Sequence, residues 1–154
     1  MPSLTVETPD ELKNYVGKEI GVSEWLLVTQ ERINQFADAT EDRQWIHVDQ
    51  ERAKRESPYK QTIAHGFLTL SLISRLIKDV VRISGGTRLA INYGLNRVRF
   101  PWPVRVGSKI RGRFTLLSLK DLGEAQEAVF ACSVECEGTT KPCCVAEWIA
   151  RYYK

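Results

Sequence analysis

The stretch from Ala64 to Ile83, AHGFLTLSLISRLIKDVVRI, is apolar on almost every side when it is read as a helix. At about 20 residues it predicts a helix of roughly 30 Å, which Ser84-Gly85-Gly86 would end. An apolar surface on all sides must be covered by other parts of the protein. We therefore expect one long central helix that the rest of the chain wraps.

After Gly86 the pattern changes to the alternating, β-branched and aromatic character of strands. Residues 18–28 have a similar pattern and predict one strand before the helix. An antiparallel sheet curled around a single central helix accounts for both observations and gives an α+β fold. The four strands predicted after the helix cover residues 88–100, 108–119, 126–137 and 143–153.

The length of 154 residues fits a single domain. We expect residues 1–17 to form an N-terminal arm that packs loosely, and residues 18–154 to form the domain. Thr29 is expected to cap a helix with one apolar stripe, and Asp49 a short charged helix that ends at Arg55.

Charge is unevenly distributed, although the net charge is only +3. The rest of the chain, outside the segment between Val80 and Lys120, has 13 basic and 19 acidic residues, a net of −6. This asymmetry suggests a surface that meets an anionic partner, or strand faces whose acidic neighbours come from other segments. The segment has no Asp or Glu and nine basic residues, which are Arg82, Arg88, Arg97, Arg99, Arg105, Lys109, Arg111, Arg113 and Lys120.

The four cysteines are expected to be reduced thiols rather than metal ligands, because neither histidine lies near them in sequence. Cys132 and Cys136 fall on one face of a predicted strand, as small core residues. The first 15 residues are polar and acidic, unlike a signal or transit peptide, and no apolar run reaches the ~18 residues that span a bilayer. We therefore expect a cytoplasmic protein without a membrane partner.

The two histidines have neighbours suited to proton chemistry. Asp42 and His47 lie five residues apart, and a converging carboxylate and imidazole can hold a water and move its protons. Gly66, at the start of the long helix, offers a free N–H at the positive end of the helix dipole, where an oxyanion is stabilised. Spacing alone leaves other readings open: the Asp–His pair as a surface hydrogen bond, and His65 as a capping or core histidine.

Residues 36–42, FADATED, followed by Ile46-His47, resemble the hydratase motif of MaoC-like (R)-specific enoyl-CoA hydratases, whose core is G-D-x-N-P-x-H. Asp42, His47 and the small residue Ala53 fall in register with it. Ala64-His65-Gly66 is similar to the A-H-G entry into the central helix of that family, and Ser74 matches a serine eight residues past the glycine. The resemblance covers roughly residues 20–150 and points to the NodN-like branch of the family.

Three positions depart from the family motif. Glu41 stands in place of Gly, Gln44 in place of Asn, and Trp45 in place of Pro. Gln44 still presents an amide, one methylene further out, whereas Trp45 is bulkier and does not fix φ. We expect these changes to affect loop geometry and substrate size rather than the class of reaction.

The resemblance implies a hot-dog fold and the reversible addition of water to a trans-2-enoyl-CoA thioester, giving the (R)-3-hydroxyacyl product. It implies that Asp42 and His47 hold the water, with Asp42 as the base and His47 delivering a proton to the α-carbon. The backbone N–H of Gly66 would bind the thioester oxygen as enolate character develops. Ser74 would position a catalytic group.

The same resemblance implies that no metal or redox cofactor is required, because the thioester already activates the β-carbon. CoA then enters as the carrier part of the substrate, and Arg97, Arg99 and Arg105 are candidate contacts for its phosphates. Hot-dog proteins pair with their sheets side by side, so a homodimer is also implied.

Three alternatives remain open. A hot-dog acyl-CoA thioesterase would use a carboxylate to direct water at the carbonyl instead. The departures at Glu41, Gln44 and Trp45 fit a non-catalytic acyl-CoA-binding protein. Basic strands that carry Tyr93 and Phe100 suit single-stranded nucleic acid, but no recognised binding motif accompanies them, so a nucleic-acid partner is not expected.

Overall fold

A computed structural model describes all 154 residues, with helices and strands in separate parts of the chain. The four α-helices are α1 (Gln30–Thr40), α2 (Trp45–Val48), α3 (Gln50–Glu56) and α4 (Gly66–Leu76). The eight strands are β1 (Leu4–Val6), β2 (Glu19–Val22), β3 (Leu26–Leu27), β4 (Val81–Ile83), β5 (Leu89–Arg99), β6 (Lys109–Asp121), β7 (Ala125–Cys136) and β8 (Cys144–Tyr153).

The main sheet has six antiparallel strands in the order β2-β6-β7-β8-β5, with β3 also pairing with β6. Along β7 and β8 buried and half-buried residues alternate, so one face of the sheet forms the core. Phe114 and Phe130 on that face are fully buried, as is Leu76 on α4. The sheet curls around α4, and both the α+β class and the hot-dog fold are confirmed.

The central helix is shorter than the sequence predicted. It ends at Leu76 rather than Ile83, and a 3₁₀ turn over Ile77–Asp79 follows. The last predicted helical residues instead form β4, which pairs in parallel with β1. The predicted 20-residue helix is wrong because this long-range strand pairing overrides the local apolar pattern.

The N-terminal residues pack tightly, so the expected loose arm is wrong. β1 pairs with β4, and a 3₁₀ helix over Pro9–Tyr15 follows it. Val6 and Leu12 lie in the hydrophobic core, with at most 2% of their surface exposed. Burying these side chains anchors the segment to the domain. The boundary at residue 17 stays a prediction.

The predicted helix caps are confirmed. The Thr29 side chain accepts a hydrogen bond from the Arg32 N–H at the start of α1, and the Asp49 carboxylate accepts one from the Arg52 N–H at the start of α3. These caps satisfy N–H groups that have no partner in the first turn of a helix. They fix both ends of the segment that carries Asp42 and His47.

Strand β5 is an open edge, because it pairs with β8 on one side only. It exposes large apolar side chains, and Phe67 on α4 is 70% exposed. A long apolar edge of this kind is a surface that soluble proteins normally cover. The exposed large apolar residues on β5 are Leu89, Ile91, Tyr93 and Leu95, and the exposed Phe100 directly follows the strand.

The nine basic residues between Val80 and Lys120 do not all present free charge. Glu135 accepts hydrogen bonds from both Arg111 and Arg113, and Arg113 also pairs with Glu19. Acidic partners therefore come from other strands of the sheet, as one of the two sequence readings anticipated. These ion pairs are partly exposed, so each adds little to stability.

All four cysteines are free and buried. Burial raises the pKa of Cys132 and Cys143 to about 12, which keeps both as neutral thiols. The expectation that Cys132 and Cys136 are core residues is confirmed. No helix has the length and apolar character needed to cross a membrane.

Candidate active site

The ring of His47 is held in place by the segment that leads into α4. His47 lies on α2 and is 7% exposed. Its Nδ1 is 2.7 Å from the main-chain oxygen of Ile63. Because a carbonyl oxygen can only accept, Nδ1 carries the proton and Nε2 of the neutral ring is an acceptor. The side-chain amide of Gln30 donates to the His47 main-chain oxygen and ties α2 to α1.

A second imidazole, that of His65, stacks on His47. The ring centroids lie 3.8 Å apart with an angle of 23° between the planes. His65 directly precedes α4 and is 3% exposed. Its Nε2 is 2.9 Å from the main-chain oxygen of Asp42, and its buried Nδ1 has no protein partner. Phe36 also packs against the ring, with centroids 4.9 Å apart and an angle of 58° between the planes.

Asp42 completes the cluster from the loop after α1. Its side chain is exposed, and its Oδ1 accepts a hydrogen bond from the Gln44 N–H. One side-chain ligand atom from each of Asp42, His47 and His65 lies within 4.8 Å of the other two. Two acceptors at this separation can both bind one water, since each hydrogen bond spans about 2.8 Å. The structure thus brings the side chains of Asp42 and His47 close together.

Glu41 has a backbone conformation that favours glycine. Its φ of 61° is in the left-handed region, where it ends α1 and turns the chain toward Asp42. A left-handed conformation costs an ordinary residue about 1–2 kcal/mol, and glycine avoids that cost. The turn is therefore kept at a small loss of stability.

The other two departures, Gln44 and Trp45, lie at the start of α2. Gln44 precedes α2 with φ −58° and ψ 138°. The ring of Trp45 lies under the Arg52 guanidinium, 4.4 Å from ring centroid to Cζ. This cation–π contact holds α2 against α3 where the family has a proline. Ala53, the small residue of the motif, lies on α3 and is fully buried.

The cluster of Asp42, His47 and His65 has ligand types that bind metals, but its geometry does not fit one ion. Imidazole binds a metal within its ring plane, at about 2.1 Å from nitrogen. Two rings stacked 3.8 Å apart and nearly parallel cannot both hold one ion in their planes at that distance. A metal would require one ring to leave its hydrogen bond to a main-chain carbonyl.

Burial lowers the pKa of His47, chiefly because the imidazolium loses solvent. The hydrogen bond to Ile63 opposes this effect, the neighbouring His65 adds to it, and the Asp42 charge opposes it. The neutral ring is thus favoured near neutral pH, with Nε2 able to accept a proton. This is the state that a general base requires.

Gly66 begins α4, one residue after His65. N–H groups in the first turn of a helix have no partner within the helix, and they lie at the positive end of its dipole. A Cβ built on Gly66 would lie 3.1 Å from the ring of Phe100. The glycine therefore permits close packing of that ring against the helix start, next to the stacked histidines.

A cavity of about 240 Å³ opens beside Gly66. Its walls are mostly apolar and come from the loop before α4 and the segment after β5. Tyr59, Ile63, Phe100, Trp102 and Cys143 are among the residues that line it.

The structure separates the remaining predicted site residues. Arg105 lies next to the cavity, with its guanidinium 5.8 Å from the ring centroid of Tyr59. Arg97 lines a different depression, together with Arg113. Arg99 is exposed and donates to the main-chain oxygen of Val98.

Ser74 lies eight residues along α4 from Gly66, which is about 12 Å of helix. Its hydroxyl donates to the main-chain oxygen of Ser71. Within one protomer it is not part of the cluster.

Sequence reasoning missed three groups that hold the cluster together: the Gln30 side chain, the Ile63 carbonyl and the His65 ring. Gln30 also accepts a hydrogen bond from the Thr62 hydroxyl. These contacts join residues 16 to 32 positions apart, so no local pattern reveals them. The A-H-G match was the one signal, and it drew attention to Gly66 rather than to His65.

Comparisons with known proteins agree with this geometry. Residues 11–137 match the model of the MaoC like domain family. The chain is 50% identical to 3-hydroxyacyl-thioester dehydratase Z of Mycobacterium tuberculosis over 149 residues, which is 96% of this chain and 97% of the relative. It is 45% identical to nodulation protein N of Rhizobium leguminosarum bv. viciae over 90% of this chain and 87% of the relative. The unliganded R-hydratase PhaJ1 of Pseudomonas aeruginosa has a similar structure, with a TM-score of 0.71, 24% identity, and coverage of 90% of this chain and 82% of that one.

Proposed function

The chain belongs to the MaoC-like dehydratase family, which makes it a hydro-lyase, and we propose that it reversibly adds water to trans-2-enoyl thioesters to give (R)-3-hydroxyacyl thioesters. The observation that carries the proposal is the cluster of Asp42 and His47 beside the start of α4. The name of the mycobacterial relative, a 3-hydroxyacyl-thioester dehydratase, supports the same reaction in the reverse direction.

In the first step, Asp42 and His47 bind one water through its two O–H groups. Nε2 of neutral His47 takes a proton from this water while the oxygen forms a bond to the β-carbon. The π electrons of the double bond move toward the thioester carbonyl, whose oxygen gains enolate charge. The N–H of Gly66 donates to that oxygen and stabilises the charge where it develops.

In the second step, the Nε2–H of the His47 imidazolium returns the proton to the α-carbon. The enolate collapses to the thioester, and His47 is neutral again, so one water has been added. The Asp42 carboxylate stabilises the imidazolium in between. Because one nitrogen takes and returns the proton, oxygen and hydrogen are added to the same face of the double bond.

These steps assign the two residues differently from the family resemblance. The resemblance implies that Asp42 is the base and that a protonated His47 gives its proton to the α-carbon. Burial lowers the pKa of His47 and so disfavours a protonated ring in the resting enzyme. The hydrogen bond from Nδ1 to Ile63 leaves Nε2 as an acceptor. Both features support His47 as the base and Asp42 as the group that orients the water.

We assign the acyl chain to the cavity beside Gly66. A thioester oxygen at the Gly66 N–H would place the chain against the apolar walls formed by Phe100 and Trp102. The length of chain that fits is tested by comparing kcat/KM across trans-2-enoyl-CoA thioesters from four carbons upward.

Among the basic residues, Arg105 is the candidate for holding the anionic part of CoA, because it lies beside the cavity at Tyr59. Arginine binds phosphate through paired N–H donors. In Arg105→Gln, we expect KM to rise for crotonyl-CoA but not for the crotonyl thioester of N-acetylcysteamine, which lacks phosphates. Arg97→Gln, in a separate depression, is the matched control.

We also infer a homodimer formed through β5. A second copy that pairs its β5 with this open edge would extend the sheet and cover apolar residues such as Ile91 and Tyr93. The exposed Phe67 on α4 lies near the same side, since its ring contacts that of Phe100 with centroids 6.3 Å apart. The free thiols of the four cysteines support a cytoplasmic enzyme.

Incubation with crotonyl-CoA tests the proposed reaction. A hydratase removes the enoyl absorbance without releasing free thiol, and its product is (R)-3-hydroxybutyryl-CoA on chiral analysis. Release of free thiol would instead identify a thioesterase. Unchanged substrate across a panel of enoyl thioesters, with binding retained, would identify a non-catalytic acyl-CoA-binding protein.

A further inference from the structure

His65 contacts each part of the cluster, although the proposed steps give it no proton to carry. It is 3% exposed and makes no capping hydrogen bond to α4, so its ring is free to turn toward the loop after α1. There Nε2 is 2.9 Å from the Asp42 main-chain oxygen. The carbonyl can only accept, so Nε2 carries the proton, and the unpartnered Nδ1 is the acceptor of the neutral ring.

The ring of His65 also has two aromatic neighbours. Phe36 packs against it at 4.9 Å with a tilt of 58°, and His47 stacks on it at 3.8 Å. The position of the His47 ring is thus set by two contacts, the stacking and the hydrogen bond to Ile63. Neither contact uses Nε2 of His47, which remains available to the water.

We propose that His65 is a positioning residue of the hydro-lyase reaction, which fixes the separation of Asp42 and His47 by donating to the Asp42 main chain while stacking on the His47 ring. Because Gly66 directly follows His65, His65 also fixes the position of Asp42 and His47 relative to the start of α4. The inference rests on the proposed function, and it concerns a side chain that touches neither the water nor the thioester.

The stack has an electrostatic consequence as well. A proton on both rings would place two positive charges 3.8 Å apart in a site with little solvent. The titratable groups that face His47 are Asp42, from the loop after α1, and His65, while Ile63 contributes a carbonyl. The presence of His65 therefore disfavours the imidazolium of His47 and helps keep the base neutral as the pH falls.

Two substitutions separate these contributions. His65→Phe keeps an aromatic ring against His47 but loses the N–H that holds Asp42. We expect kcat to fall by about 10- to 100-fold with little change in KM, because misplacing a catalytic group by about 1 Å has effects of this size. A kcat equal to that of the parent would overturn the positioning role.

His65→Gln keeps an amide donor for the Asp42 carbonyl but removes the second imidazole. We expect a smaller loss of kcat, and the acid side of the kcat/KM profile should move to higher pH because the imidazolium of His47 becomes easier to form. Phe36→Leu, which loosens a different packing contact of the His65 ring, is the control and should leave the acid side of the profile in place. If the acid side of the kcat/KM profile does not move in His65→Gln, the proposed coupling of the two rings is contradicted.

Imidazole ¹⁵N NMR of the unmodified protein tests the arrangement without relying on turnover. The chain has two histidines, so the spectrum of His65→Gln assigns both rings. In the neutral state we expect the proton on Nε2 of His65 and on Nδ1 of His47. The opposite tautomer at His65 would refute the inference. Failure to hydrate any enoyl thioester would instead refute the proposed function, and the NMR spectrum would still test how His65 is hydrogen-bonded.

Discussion

Nδ1 of His47 lies 2.7 Å from the main-chain oxygen of Ile63, and this hydrogen bond determines which ring nitrogen can act on a substrate. The carbonyl holds the proton on Nδ1 and leaves Nε2 as the acceptor. Ile63 is two residues before His65, whose ring stacks on the same imidazole. The short segment before α4 therefore orients the base, and the first residue of α4, Gly66, offers its N–H for the developing charge.

The pH dependence of hydration follows from the lowered pKa of His47. The base is active when neutral, and its pKa is below the ordinary value of 6.5 because burial removes solvent from the imidazolium. We expect the acid side of the kcat/KM profile to reach half of its plateau value at a pH below 6.5. Initial rates measured from about pH 5 to 8 check the prediction, and a half-plateau point above pH 6.5 would contradict it.

Gly66→Pro isolates the proposed oxyanion donor. Proline is tolerated at the first position of a helix, and His65 has φ −58° and ψ 137°, a conformation that residues before proline prefer. The substitution removes the N–H, so we expect kcat to fall by about 10²- to 10³-fold.

Gly66→Ala is the matched control for that experiment. It adds a Cβ near the ring of Phe100, as proline also does, but it keeps the N–H. We expect a much smaller loss of kcat in the alanine variant. Equal losses in both variants would mean that crowding against Phe100, rather than the missing donor, causes the effect.

The left-handed φ of 61° at Glu41 makes a prediction about stability. Glu41→Gly relieves the steric cost of this conformation, about 1–2 kcal/mol, but glycine loses more conformational freedom on folding. The free energy of unfolding should therefore rise by about 0.5–1 kcal/mol. Urea denaturation measures it. Glu31→Gly, at an exposed position in the first turn of α1, should instead lower stability by up to about 1 kcal/mol. A loss of stability in Glu41→Gly would show that the glutamate side chain has a structural role.

The proposed dimer can be broken at one side chain of β5. Ile91→Lys places a charge on the open edge, and we expect it to convert a dimer of about 35 kDa, twice 17.6 kDa, into the 17.6 kDa monomer. Leu117→Lys on β6 is the control, because both parent side chains are 41% exposed. Sedimentation equilibrium distinguishes the two masses, and a parent protein that sediments as a monomer would contradict the proposal.

The sequence predicted much of the sheet because alternation and turn residues are local signals. The four long strands, β5 to β8, begin and end within two residues of their predicted bounds. The end of α4 could not be predicted in this way, because Val81–Ile83 has a partner 77 residues upstream, at Leu4–Val6. A short apolar run is compatible with either a helix or a strand, and the sequence pattern alone does not distinguish them.

The same difference between local signals and long-range contacts applies to the candidate active site. Asp42, His47 and Gly66 were found through a short motif and a helix start, and the structure brings them to one end of α4. The role of His65 depends on its hydrogen bond to a residue 23 positions away and on its stacking with His47, so it required the fold. The cluster of nine basic residues failed as a single free surface for a related reason, since Glu135 lies on another strand.

The central claim, that Asp42 and His47 carry out the hydration, is tested most directly by kcat for crotonyl-CoA in Asp42→Asn and His47→Gln. We expect each variant to lose about 10²-fold or more in kcat while circular dichroism shows an intact fold. Asp38→Asn makes the same chemical change at an exposed carboxylate that pairs with Arg43, and should keep the parent rate. Hydration by either Asp42→Asn or His47→Gln as fast as by the parent would contradict the claim.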